Sequence, residues 1–411
     1  MTATALQQEE HLPEAIVCKW CGKSFHYLKS HISMGRCENI PESAKGLDVD
    51  EVVKMYTSAF PDEPTISRTA LAKLNEKRAE KHSGEGKVAE ISAHPGYAGT
   101  VEYKTELVAA HELLGVTIKE LGTPRGKPLQ VTVNVNTPYP EFVPEAKKNY
   151  VYGDFDLIKD IFMMLEIGIP GYLWGHAGTG KSSLPTQLCA LLNRPLIRAQ
   201  HTASMEEAHV TGQILARDGS TYFEPGLLAL AMKNGWVYLA DEYDFAFPQI
   251  LGVYQPVLEG KPLIIKEATP DWRRITPHKR FAFIGTGNTN GSGDETGLYQ
   301  GTNIQNAANF SRFGIVSNVK YMSTKAEVNM LAEAGVIREY AEKMVKFANL
   351  VREGYEQHLI SQPIGPRELL LSAKIGMMRG DFSVGIEKSF INKLPSTSAQ
   401  AAREVVQKIF G

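Results

Sequence analysis

The eight residues GHAGTGKS, Gly175–Ser182, constrain this chain more than any other stretch. They fit G-x-x-x-x-G-K-[ST], with the apolar run PGYLWG leading in and a helical pattern, GKSSLPTQLCALLN, leading out. A strand that feeds a helix through a glycine turn implies a parallel sheet covered by helices, because the helix must pack back on the sheet. The turn itself is equally restricted. Glycines let backbone N–H groups wrap an anion, and the helix N-terminus adds its positive dipole end. The expected phosphate-binding residues are Gly175, His176, Ala177, Gly178, Thr179, Gly180, Lys181, Ser182 and Ser183. Lys181 would reach the β- and γ-phosphates of ATP, and the Ser182 hydroxyl would ligate Mg2+.

WVYLADEYD, Trp236–Asp244, follows about 60 residues downstream. An apolar strand ending in Asp241-Glu242 puts one carboxylate near the Mg2+ and the next where it can polarise an attacking water. A bare acidic pair after a strand is as well explained by a helix N-terminus. Behind a phosphate-binding loop it points to hydrolysis. RFAFIGTGN ends in Asn288, which would hold the lytic water opposite Glu242, or else is an ordinary strand-end asparagine. NFSRF places Arg312 between a helix and a strand. An arginine there can project into a neighbour's site to stabilise the transferring phosphoryl group, or can pair with a surface carboxylate. IGPREL sets Arg367 at a helix start, suited to face the nucleotide from a lid.

Around these motifs the chain alternates apolar strands (RPLIRAQ, WVYLAD, RFAFIGTGN, FGIVSNVKY) with helical patterns (DFDLIKDIFMMLEIG, GLLALAMKNG, PQILGVYQPVLEG). That rhythm implies a mostly parallel three-layer α/β sheet. After about residue 324 only helical patterns remain. The expected organisation is a Cys/His module over 15–40, an α+β region and linker over 41–140, an α/β core over 141–323 and a helical lid over 324–411. In the second region DVDEVVKMYTSAF, RTALAKLNEKRAEKH and TELVAAHELLGV read as helical, LQVTVNVNT as a strand, and residues 83–99 as a linker. Charged residues make up 22% and the formal charge is −2, so any nucleic-acid contact would need a local basic patch. Leu157–Trp174 is broken by Lys159, Asp160 and Glu166, and the acidic N-terminus lacks an apolar core. No membrane span or signal peptide is expected, and the protein would be cytoplasmic.

The five elements in this order resemble the AAA+ P-loop ATPases, from about residue 140 to the C-terminus. The resemblance implies a ring, usually hexameric, with ATP between subunits and Arg312 acting in trans. TGQILARDGSTYFEPGLLALAMKNG, Thr211–Gly235, resembles the helix-2 insert hairpin of the MoxR branch, with Asp218-Gly219 at its turn. DEYDFAFPQILGVYQPVLEG, TGNTNGSGDETGLYQGTNIQNAANFSRF and FVPEAKKNYVY are similar to the CobS-type subunits of aerobic cobaltochelatases. In that family the ring works with a CobT-type partner carrying a von Willebrand A domain and with a large chelatase subunit. Where that family has Asp-Arg-Trp, this chain has Ser311-Arg312-Phe313.

Three of the four cysteines lie in CKWCGKSFHYLKSHISMGRC, the fourth, Cys189, in an apolar helical pattern. Cys18-x2-Cys21-x9-His31-x5-Cys37 offers four ligands suited to tetrahedral Zn2+, with Phe25 and Leu28 as a miniature core; the other reading is unrelated thiols. The run resembles the Ros/MucR zinc fingers, with Cys37 in place of their last histidine, and His26 is expected at the surface. Lys19, Lys23, Lys29 and Arg36 are opposed by Glu14 and Glu38, and the helix presents only Lys29, Ser30 and Ser33 for base readout. A structural or partner-docking role is favoured over DNA binding. The leading expectation is an ATP-hydrolysing ring motor that remodels a partner, including the cobaltochelatase ATPase subunit. The rivals are a DNA-associated motor and a nucleotide-gated scaffold.

Overall fold

A computed structural model describes residues 13–33, 36–45, 47–61, 63–70, 101–217 and 219–411. The helix read from RTALAKLNEKRAEKH beyond Ala70 and the linker read over 83–99 lie outside them. Contacts divide the chain into two units, residues 1–94 and 95–411.

In the first unit β1 (Ile16–Val17) pairs antiparallel with β2 (Ser24–Phe25), and α1 (Leu28–Ser33) follows. Six residues cannot hold a helix unaided. A second helix, α2 (Val49–Ala59), supplies the support: Val52 and Tyr56 share one core with Ile16, Phe25, Leu28 and Ile32. The Asp48 carboxylate starts α2 by accepting from Asp50 N at 2.8 Å and Glu51 N at 2.9 Å. Tyr56 is fully buried, and its hydroxyl accepts from Lys19 N at 3.0 Å.

In the second unit β3 (Thr105–Ala109) pairs antiparallel with β4 (Gln130–Asn134). This corrects the helical reading of TELVAAHELLGV: only Ala110–Leu114 is helical. Helical periodicity over so short a run yields to ladder pairing with a period-two partner. Five parallel strands form the main sheet: β5 (Gly171–Trp174), β6 (Leu196–Gln200), β9 (Val237–Asp241), β10 (Ala282–Gly287) and β11 (Ile315–Asn318). Their order is β11-β5-β10-β9-β6. Strand alternation sorts the side chains into two cores. Leu173, Leu239 and Ile284 face α3 (Phe155–Ile167) and α4 (Ser183–Leu191); Tyr172, Tyr238 and Phe283 face the layer containing α5 (Leu227–Asn234). Burial on both faces explains why these strands read as continuous apolar runs.

Between β6 and α5 stands the expected hairpin, β7 (Gly212–Arg217) and β8 (Ser220–Pro225), with Gly219 at φ 77° in its turn. PQILGVYQPVLEG is not one helix. It breaks into Pro248–Leu251 and Gln255–Leu258 around a 3-10 turn, because Pro256 lacks the donor a continuous helix needs. Cys189 is fully buried within α4. After residue 323 come α6 (Thr324–Glu333), α7 (Arg338–Glu356), α8 (Pro366–Arg379), α9 (Phe382–Ser389) and α10 (Ser396–Phe410) around a separate core. Inside it Arg352 makes a two-pronged pair with fully buried Glu327, 2.8 Å on each side. No described helix is long and apolar enough to cross a membrane.

Candidate nucleotide site

The C-terminal ends of β5, β6, β9 and β10 deliver the polar residues of the second unit to one place, as open parallel sheets do. After β5 the chain turns through Gly175 (φ 147°), Gly178 (φ 80°) and Gly180 (φ 103°), angles that side-chain-bearing residues rarely adopt. Space is a second constraint. A Cβ on Gly175 would lie 2.4 Å from Val319 O. Lys181 Nζ donates to Gly175 O at 2.7 Å, His176 O at 2.9 Å and Asn288 Oδ1 at 3.0 Å. Burial pulls the Lys181 pKa down to about 8, against the pull of Asp244, Asp241 and Glu242. An ammonium so desolvated gains most from an anionic ligand.

Asp241, 2% exposed at the end of β9, is where the elements meet. Its Oδ1 accepts from the Ser182 and Thr286 hydroxyls, and its Oδ2 from Arg198 Nε at 2.6 Å. Burial opposes its ionisation, but these hydrogen bonds and the Arg198 charge outweigh that and hold its pKa below the usual carboxylate value. Ser182 and Asp241 thus bring a hydroxyl and a carboxylate oxygen into direct contact, a donor set that fits Mg2+. Glu242 adopts a left-handed backbone, φ 54°, unusual for a glutamate, and its exposed carboxylate accepts from Gln200 Nε2. Its pKa is raised by partial desolvation, then by Asp241 and Asp244.

Asn288 is placed by Asp244. The buried Asp244 Oδ2 accepts from Asn288 N at 2.8 Å, Thr289 N at 2.9 Å and Thr289 Oγ1 at 3.0 Å. Arg367 stands at the first turn of α8, its Cβ about 3.4 Å from where a Cβ on Gly178 would be. Arg312 is set apart from this cluster. Its Nε donates to Glu259 Oε1 at 2.6 Å and its Nη1 to Ala308 O. Within a single chain it therefore makes the surface pair that was one of its two expected roles. Sequence reasoning missed Arg198, Gln200, Thr286 and Asp244. Only the last carried a signal, as the final residue of DEYD.

Behind β9, fully buried His201 ties the strand ends together. Its Nδ1 faces Ala199 O at 3.0 Å and Asp241 O at 3.2 Å, so that nitrogen carries the proton. Nε2 accepts from Tyr254, which accepts from Tyr238, each at 2.8 Å. Burial holds the pKa down to about 4, against the carbonyls that favour the cation. Unfolded chain takes up this proton near pH 6.5, so the contribution is complete above that pH and disappears as pH falls towards 4. Its ceiling is roughly 3 kcal/mol. Calorimetry of wild type and His201→Asn from pH 7.5 to 5 should show the wild type losing more stability on acidification; parallel profiles would contradict it.

In the first unit one ligand atom from each of Cys18, Cys21, His31 and Cys37 lies within 4.8 Å of the others. Cys21 Sγ is 3.3 Å from His31 Nε2, and Cys18 Sγ is 3.8 Å from Cys37 Sγ. Phe25 stacks on the imidazole at 5.2 Å. Burial, then Cys18 and Cys21, push the Cys37 thiol up to about 12. Three thiols and an imidazole so crowded fit a bound dication, which reverses that penalty. His26 is exposed and turns to Ser67 Oγ and Glu14 O, 3.1 Å each.

Residues 172–302 match the family described as AAA domain (dynein-related subfamily). The aerobic cobaltochelatase subunit CobS of Sinorhizobium sp. is 32% identical over 249 residues, which cover 58% of this chain and 74% of that protein. An uncharacterised protein of Staphylococcus aureus (strain NCTC 8325 / PS 47) is 23% identical over 265 residues, 62% of this chain and 96% of its own. Among solved structures, the RuvB Holliday junction branch migration motor of Thermotoga maritima is 13% identical, with TM-score 0.38, covering 65% of this chain and 72% of that one.

Proposed function

This chain belongs to the AAA+ ATPases related to CobS, and from that premise we propose that it is an ATP-hydrolysing ring motor that remodels a partner protein. The carrying observation is the convergence on Asp241, whose carboxylate joins Ser182 of the phosphate loop, Thr286 of β10 and Arg198 of β6. In this reading the Gly175–Ser183 backbone and Lys181 bind the phosphates, and Ser182 and Asp241 would hold Mg2+. Bound there, Mg2+ neutralises phosphate charge. Glu242 takes a proton from the attacking water, which Asn288 holds from the other side, and Arg367 faces the nucleotide from the lid. Arg312 leaves Glu259 on assembly of a hexameric ring and reaches the neighbour's γ-phosphate.

The alignment with CobS supports a cobaltochelatase-like assembly with a CobT-like von Willebrand A-domain protein. The Cys/His unit, which would hold Zn2+ through Cys18, Cys21, His31 and Cys37, is then the docking adaptor. The DNA-directed alternative gains no support from that unit. Between Glu14 and Arg68 stand eight acidic and seven basic side chains. Lys19, Lys23 and Lys29 each face a carboxylate, of Glu63, Glu38 and Asp50. Phosphate contacts need free cations, and α1 offers few side chains for base edges. Affinity capture with Glu242→Gln held in ATP tests the motor reading. Enrichment of one partner that is lost with Lys181→Ala supports it; equal recovery with both variants contradicts it.

A further inference from the structure

The second residue of the phosphate loop, His176, is gripped from two directions. From one comes Tyr299, in the segment after β10. Its hydroxyl lies 2.8 Å from His176 Nδ1 and 3.2 Å from Ala177 N. The amide can only donate, so the tyrosine oxygen accepts from it and its own hydrogen is free for Nδ1. Tyr299 does not project from a loose loop. Its N–H donates to Asp294 Oδ2 at 2.7 Å, while Asp294 Oδ1 accepts from Thr296 N at 2.9 Å and Thr296 Oγ1 at 2.8 Å.

From the other direction come Tyr321, in the segment that leads into the lid, and Tyr355 of the lid itself. The Tyr321 ring lies parallel to the imidazole, 1° between planes and 5.8 Å between centroids, and Tyr355 of α7 meets it edge-on at 5.8 Å. Tyr321 is itself covered by the Arg352 guanidinium at 4.0 Å, the same group that pairs with Glu327 of α6. The imidazole therefore touches a braced turn and the lid at once, from within the phosphate loop.

We propose that Tyr299 and His176 are positioning residues for nucleotide binding. Their hydroxyl–imidazole pair holds the front of the phosphate loop in its anion-binding curve, and the edge-on contact with Tyr355 of α7 sets the lid against it. This inference rests on reading Gly175–Ser182 as the phosphate loop. A turn built on three glycines in left-handed conformations is costly to keep ordered, and fixing it in advance leaves less ordering to be done when ATP arrives. Lys181 also braces the turn through Gly175 O and His176 O, but its ammonium is needed at the phosphates. Tyr299 has no such second duty.

Equilibrium binding of Mg2+-ATP to the full chain tests the pair. Tyr299→Phe and His176→Phe both delete the hydroxyl–imidazole hydrogen bond; the first also removes the acceptor of Ala177 N, and the second keeps a ring beside Tyr321. Each should weaken ATP binding about three- to tenfold, the range of one neutral hydrogen bond, without moving the melting temperature. The double variant should be no worse than Tyr299→Phe alone, and His176→Asn, whose amide oxygen can accept from Tyr299, should recover most of the loss that His176→Phe causes. Unchanged affinity in both single variants, multiplying effects in the double, or melting temperatures that fall with affinity and no rescue by asparagine would each overturn the proposal. Lys181→Ala separates the two levels. If it too leaves binding intact, the phosphate-loop reading falls; if it abolishes binding while Tyr299→Phe does nothing, only the present inference falls.

Discussion

Glu242→Gln will bind ATP as the wild type does and hydrolyse it at least about a hundredfold more slowly, the usual worth of a general base. The substitution keeps the shape of the side chain and its reach to Gln200, and removes the proton acceptor. No group proposed to bind phosphate or Mg2+ changes, since Lys181 and Ser182 are untouched. Desolvation and the neighbouring Asp241 and Asp244 raise the Glu242 pKa, which makes the carboxylate a better base than a solvated one. Phosphate release and ATP affinity, measured on the same preparation, separate the outcomes. Turnover within tenfold of wild type would remove Glu242 from the mechanism, and loss of affinity along with turnover would make it structural.

Removing the Zn2+ proposed for Cys18, Cys21, His31 and Cys37 carries the second large expected effect. The core holding Phe25, Leu28, Ile32, Val52 and Tyr56 is small, and α1 has six residues. Structural zinc in sites of this size contributes on the order of 10 kcal/mol to folding. Treatment with a zinc-selective chelator, or Cys21→Ser, should therefore open residues 13–70 to proteolysis and to hydrogen exchange at Val52 and Tyr56. ATP binding should persist, because none of the residues proposed to bind phosphate belongs to this unit. A purified chain free of zinc, with protection unchanged by chelator, would contradict the assignment.

The phosphate loop, Asp241-Glu242 and Asn288 were legible in the sequence because each sits at a strand end, where an apolar run stops at a polar residue. Their partners were not. Arg198 and Gln200 look like ordinary polar residues until the strand order sets β6 beside β9 and brings them to Asp241 and Glu242. Thr286 became relevant for the same reason, since β10 flanks β9 on its other side. The four Cys/His positions declared themselves by spacing, whereas the shared core of α1 and α2 depends on a loop whose path no periodicity encodes. Thr105–Ala109 misled because five residues fit a helix or a strand, and the choice was made by pairing with Gln130–Asn134.

In the proposed motor, hydrolysis takes place between subunits, with Glu242 from one chain and Arg312 from the next. Mixing two inactive variants, Glu242→Gln and Arg312→Ala, measures this most directly. In randomly assembled rings about a quarter of the interfaces would join an intact Glu242 to an intact Arg312, and phosphate release should rise to about that fraction of wild type. Activity that stays at the level of the separate variants, in rings shown to be mixed, would contradict the claim.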